Sequence, residues 1–87
     1  MIPIRLRNEK LEWLETGGEV IALDESELAY VSANVTGSLL WQDLAAGTTR
    51  DALVTRLVDA FEVDAETVRR DVDAFLEDLE RRGLLAK

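Results

Sequence analysis

The sequence predicts an α+β domain of winged helix-turn-helix type, with a three-stranded antiparallel sheet followed by three helices. Three observations predict it. Up to Ala33 the apolar residues form short blocks of strand length, and from Asn34 onward they recur at three- and four-residue steps. The paired glycines Gly17-Gly18 sit between the first two blocks, where a tight hairpin needs positive φ. All the links are short, so consecutive strands pair most simply as a meander.

The first strand lies around Leu11-Glu12-Trp13-Leu14, and Val20-Ile21-Ala22-Leu23 is the second. Asp24-Glu25-Ser26-Glu27 is polar turn material, and Leu28-Ala29-Tyr30-Val31-Ser32-Ala33 makes the third strand. Asn34 caps the first helix, which carries Val35, Leu39, Leu40 and Leu44 and ends at Gly47. Thr48 with Asp51 resembles a capping box for a second helix, whose stripe is Leu53, Val54, Leu57, Val58 and Phe61. Asp64 caps a third helix with Val68, Val72, Phe75, Leu76 and Leu79 on one side, and Gly83 closes it. Leu84-Leu85 then folds back or frays. Trp41 falls beside the stripe of the first helix and is expected in the core. Trp13 either covers the core or contributes to an exposed contact. Helices two and three, joined by about three residues, form the helix-turn-helix. No linker or repeat interrupts residues 1–87, so one domain is expected.

Composition narrows the function. An 87-residue chain has room for one core but not for a deep substrate cavity as well. It has no cysteine and no histidine, which excludes thiolate nucleophiles, disulfides and Cys/His zinc sites, and removes the commonest general base at neutral pH. The 18 acidic residues make carboxylate pairs inevitable, and those on helix three have arginine partners at helical spacing, as in Glu66 with Arg70 and Glu77 with Arg81. Gly17-Gly18 lacks the lysine and hydroxyl of a phosphate loop. No enzyme activity, metal or cofactor is expected. The segment Met1 to Lys10 has no long apolar run, and no stretch approaches the ~20 apolar residues of a membrane span. A cytoplasmic location is expected.

The net charge of −8 opposes binding to phosphates and to anionic membranes. Helix three, in the position of a DNA-recognition helix, has six acids (Glu66, Asp71, Asp73, Glu77, Asp78 and Glu80) against four arginines. No nucleic-acid or membrane partner is expected.

An edge strand offers unpaired amides and carbonyls, and Leu28 to Ala33 has neither proline nor lysine to guard it. It is therefore open to pairing with an extended peptide. The competing expectation is coverage by the arm Met1 to Asn8 or by a partner. On helix three, Val68, Val72 and Leu79 centre the stripe, with Phe75 on one flank and Leu76, Arg69 and Asp73 on the other. One sequence leaves open which flank faces the strand.

The runs Glu19-Val-Ile-Ala-Leu-Asp-Glu and Tyr30-Val-Ser-Ala-Asn-Val-Thr-Gly37 with Trp41, then Arg70-Asp-Val-Asp-Ala-Phe-Leu and Gly83-Leu-Leu, resemble the PqqD-like family. The likeness extends from Leu11 to Leu85, and its specificity lies in the order and spacing of the pieces. Ala33 stands where the family usually has leucine, and Phe75-Leu76 replaces a leucine pair. The resemblance implies a recognition element for ribosomally made, post-translationally modified peptides. Such an element binds a precursor's leader as an added strand beside the third strand, against helix three.

The segment Tyr-x-x-x-Asn-x-Thr-Gly is most similar to the stand-alone lasso-peptide branch. That branch implies a separate cysteine peptidase and a cyclase as partners, and a leader carrying a tyrosine and a proline three residues on. Carried onto this chain, Leu28, Ala29, Tyr30, Val31 and Ser32 would supply the backbone ladder. Val68, Arg69, Val72, Asp73 and Leu76 would form the helix wall, and Asp73 and nearby acids would meet basic leader residues. The alternatives are a PqqD-type peptide chaperone for a radical enzyme, an acidic winged-helix transcription regulator, and a dimerisation module.

Overall fold

The computed structural model describes residues 3–86. Three strands, β1 (Leu11–Thr16), β2 (Glu19–Asp24) and β3 (Ala29–Ala33), precede three helices, α1 (Val35–Ala46), α2 (Arg50–Phe61) and α3 (Ala65–Arg81). The strands form an antiparallel meander in the order β1-β2-β3, as expected. Gly17 and Gly18 both have positive φ, 60° and 81°, and close a two-residue hairpin in which Thr16 faces Glu19. A β-carbon pays for such a conformation, which is why this turn uses glycine twice.

The inner face of the sheet carries Leu11, Val20 and Ala22, all buried. Beneath it lie Leu40, Trp41 and Leu44 of α1, then Leu53, Val54 and Leu57 of α2, and Val68, Val72 and Leu79 of α3. Trp41 is buried as expected, and Trp13 stacks on it edge-to-face at 6.2 Å while remaining 38% exposed. Trp13 thus covers the core and also touches solvent. The outer face, by contrast, exposes Leu14, Ile21 and Tyr30.

All three helices start on a side chain that accepts a first-turn amide: Asn34 from Gly37, Thr49 from Ala52, and Asp64 from Thr67. The second cap corrects the sequence expectation by one residue. Thr48 does not cap α2, because its backbone is paired with that of Ile4. Two further corrections concern ends of elements. Leu28 lies in the turn before β3 with φ of 52°, outside the strand in which it was expected. Phe61, expected in the apolar stripe of α2, is exposed at the last turn of that helix.

The two ends of the described chain meet on the helical side. Ile4 bridges to Thr48 and Leu6 to Leu85, while Arg7 N–H donates to the Leu84 carbonyl. Leu84 is fully buried, so the segment after Gly83 folds back. The Arg7 guanidinium locks this corner, donating to the Gly83 carbonyl at 2.7 Å and to the Asp24 carboxylate at the end of β2. The described part of the arm, residues 3–8, is therefore occupied away from β3 and does not cover that edge, while Met1 and Ile2 lie outside the described residues.

Candidate functional site

The alternation of the sheet determines which groups of β3 are free. In a two-residue hairpin the flanking pair is hydrogen-bonded, so Thr16↔Glu19 and every second pair after it exchange backbone bonds. The Glu25 amide donating to the Lys10 carbonyl at 2.8 Å continues the same parity beyond the strand ends. Glu19, Ile21 and Leu23 thus direct their amides and carbonyls to β1, and Val20, Ala22 and Asp24 direct theirs to β3. Their partners Ala33, Val31 and Ala29 face inward to β2. What remains is the outer edge, where Tyr30 and Ser32 present their N–H and C=O groups. Among the described residues no strand pairs with that edge.

The side chains alternate in the opposite sense. Tyr30 and Ser32 point to the outer face of the sheet, and Val31 and Ala33 point toward the helices, where both are partly buried against the core. An added strand would follow the same rule. Its residues opposite Tyr30 and Ser32 would share the outer face, and those opposite Val31 and Ala33 would point inward.

Inward of this edge lies a groove of about 480 Å³, lined on the strand side by Ser32 and Ala33 and on the α3 side by Asp71, Phe75 and Asp78. Leu40 and Leu57 reach its floor. The groove exists because the sheet rests on α1 while α3 packs mainly against α2. Phe75 spans the gap at one point. A β-carbon on Gly37 would lie 3.3 Å from the Phe75 ring and 3.2 Å from the Ala33 β-carbon, so glycine at the start of α1 lets the ring close down there.

Arg50, at the start of α2, marks the flank of α3 that faces α2. It grips Asp73 through two hydrogen bonds, one of them 2.9 Å from Nη2 to Oδ2. The Arg50 guanidinium holds the Asp73 carboxyl below the usual carboxylate range. On the same side Leu76 and Glu80 border a second cavity with Pro3, Ile4 and Leu85. That flank therefore belongs to α2 and to the terminal arm.

The structure sorts the sequence-predicted residues accordingly. Ala29, Tyr30, Val31 and Ser32 form the free strand, with Leu28 at its entrance in a turn. Val68 and Val72 are buried and form part of the core. Asp73 and Leu76 lie on the flank turned from β3, and Arg69 shares that flank by its helical position. The α3 residues that line the groove, Asp71, Phe75 and Asp78, were missed as wall residues. Helical periodicity placed Phe75 on the opposite flank from Leu76 but held no signal for choosing between the two. Among the described residues no group of three or more histidine, cysteine, aspartate or glutamate side chains is arranged to hold a metal. Among the described residues no helix is long and apolar enough to cross a membrane.

No curated protein sequence matches the chain. Two solved structures do. One, of TbiB1 in complex with the TbiA(beta) leader peptide, is 26% identical with a TM-score of 0.86, covering 93% of each chain. The other, a lasso peptide synthetase B1 complexed with the leader peptide, is 25% identical with a TM-score of 0.83, covering 97% of this chain and 98% of that one. Both share the arrangement of three antiparallel strands followed by three helices. The family described as coenzyme PQQ synthesis protein D (PqqD) matches residues 19–85, a span that includes β2, β3 and all three helices, and the chain belongs to that family.

Proposed function

We propose that this chain binds the leader segment of a ribosomally made precursor peptide, as a fourth strand added to the outer edge of β3. The observation that carries the proposal is the free edge of Tyr30 and Ser32 beside a groove walled by α3. Backbone pairing supplies affinity, and side chains entering the groove supply selectivity. The two structural relatives are both leader-peptide complexes, and one is a lasso peptide synthetase B1. On that ground the leader belongs to a lasso-peptide precursor, and the bound complex is delivered to a separate cysteine peptidase and a cyclase. The chain itself serves as a non-catalytic cytoplasmic carrier, and residues 1–87 act as one domain. The binding surface consists of Ala29 to Ser32 with Leu28 at its entrance, and of Asp71, Phe75 and Asp78 across the groove.

The test is titration of a fluorescein-labelled leader, taken from a short precursor encoded beside the gene, into wild type, Ser32→Pro and Val31→Pro. Ser32→Pro deletes an outward amide and should weaken binding at least tenfold while the far-UV spectrum stays unchanged. Val31→Pro deletes an amide bonded to β2, so it should instead lower the melting temperature. Undiminished leader affinity in Ser32→Pro would remove the added-strand mechanism.

A further inference from the structure

The groove has a chemical character that the added-strand reading does not use. Ala33, Leu40, Leu57 and Phe75 give it an apolar floor, Ser32, Asn34 and Thr36 line the side of β3 and the start of α1, and its α3 rim bears Asp71 and Asp78. No lysine or arginine lines it. The two carboxylates lie seven residues apart, two turns along one flank of α3, with Phe75 between them. They are not equivalent. Asp78 already accepts from Arg81 at 3.4 Å and from Arg82 at 3.1 Å. Asp71 has no ion pair among the described residues.

An apolar trough that ends in an uncompensated carboxylate suits a side chain with a hydrocarbon stem and a positive head. Lysine and arginine have that form, laying their methylenes on apolar surface while the head reaches the polar rim. The Phe75 ring adds an electron-rich face for the same cation. A purely apolar guest would leave Asp71 partly desolvated without a partner, and an acidic guest would meet like charge. Of the inward-facing positions of an added strand, the one opposite Ala33 lies at the groove, because Ala33 lines it and Val31 does not.

Resting on the added-strand reading, we infer that Asp71 is a specificity-determining residue that selects guest peptides carrying lysine or arginine at the inward position opposite Ala33. Asp71 is exposed and takes no part in the core, so it can be changed without disturbing the fold.

The experiment selects from an mRNA-displayed library of random 12-residue peptides on the immobilised full chain. The tightest peptide is then resynthesised with each basic residue replaced in turn by norleucine, which keeps the stem and removes the charge. Affinities are measured for wild type, Asp71→Asn, and Asp59→Asn, an exposed α2 site that gives the same change in net charge. One basic residue should lose about tenfold in affinity on replacement against wild type and Asp59→Asn, and less than twofold against Asp71→Asn. Selected peptides without a basic residue, or a loss as large in Asp71→Asn as in wild type, overturn the inference. If Ser32→Pro still abolishes capture in that case, the added-strand reading survives alone. If wild type captures no peptide, both fall.

Discussion

Asp24 shows how one buried carboxylate ties three parts of this molecule together. It ends β2, accepts from Arg7 of the terminal arm, and accepts the Ser26 amide at 3.0 Å to shape the turn into β3. Burial by itself would raise its pKa, but the hydrogen bonds from Arg7 and Ser26 and the Arg7 charge bring it below the usual carboxylate value. A carboxyl with a lower pKa folded than unfolded stabilises fully above its unfolded value, about 3.9, and loses that contribution as pH falls through the folded value. The melting temperature of Asp24→Asn should therefore be lower than wild type at pH 7, with the gap narrowing below about pH 4. Circular dichroism melts from pH 7 to pH 2.5 check this, and a gap that is constant across the series contradicts it. Glu62 is a second residue whose energetics are local. It closes α2 in the left-handed region, at φ 51° and ψ 45°, where a β-carbon is unfavourable. Glu62→Gly should raise stability by about 0.5–1 kcal/mol, read as a higher urea midpoint with an unchanged slope.

Among the elements, β3 and α3 border the proposed site, and they were legible to different depths. The short links after each apolar block were enough to place β3 at the edge of a meander. The glycine pair and the equal spacing of β1 and β2 also contain the parity that turns Tyr30 and Ser32 outward, once the hairpin is taken as a two-residue loop. The strand's first residue was less accessible, because Leu28 continues the apolar run into β3 while the turn forces it to positive φ. For α3, periodicity identified the buried centre of Val68, Val72 and Leu79 but not the rotation of its flanks. That rotation depends on contacts distant in sequence, with Arg50 gripping Asp73 and Ile4 and Leu85 beside Leu76. The Arg50–Asp73 pair is partly solvent-exposed, so its contribution to stability is small. Asp73→Ala should weaken leader binding through a loosened groove wall while shifting the melting temperature only slightly. Isothermal titration at low salt would measure the first and a thermal melt the second. Unaltered affinity would show that α3 is held by its apolar face alone.

At the scale of the whole molecule, function follows from an uneven division of packing. One apolar layer serves sheet and helices together, yet β3 is not pressed onto α3, and the groove between them is the space proposed for a guest. The termini close the opposite side, with Leu6 and Leu84 entering the core from the two ends of the described chain. Leu84→Ala should cost about 2–5 kcal/mol, because it removes a fully buried side chain from a site that holds both ends. Urea unfolding measures this, and a loss under 1 kcal/mol would mean that the folded-back segment contributes little. The central claim concerns only two backbone positions and can be read at them directly by amide hydrogen exchange with NMR detection. In the free protein the amides of Ala29, Val31 and Ala33 should exchange slowly and those of Tyr30 and Ser32 rapidly. Adding the leader peptide should slow Tyr30 and Ser32 into the range of their neighbours. Tyr30 and Ser32 amides that still exchange rapidly when the peptide is fully bound would contradict the account.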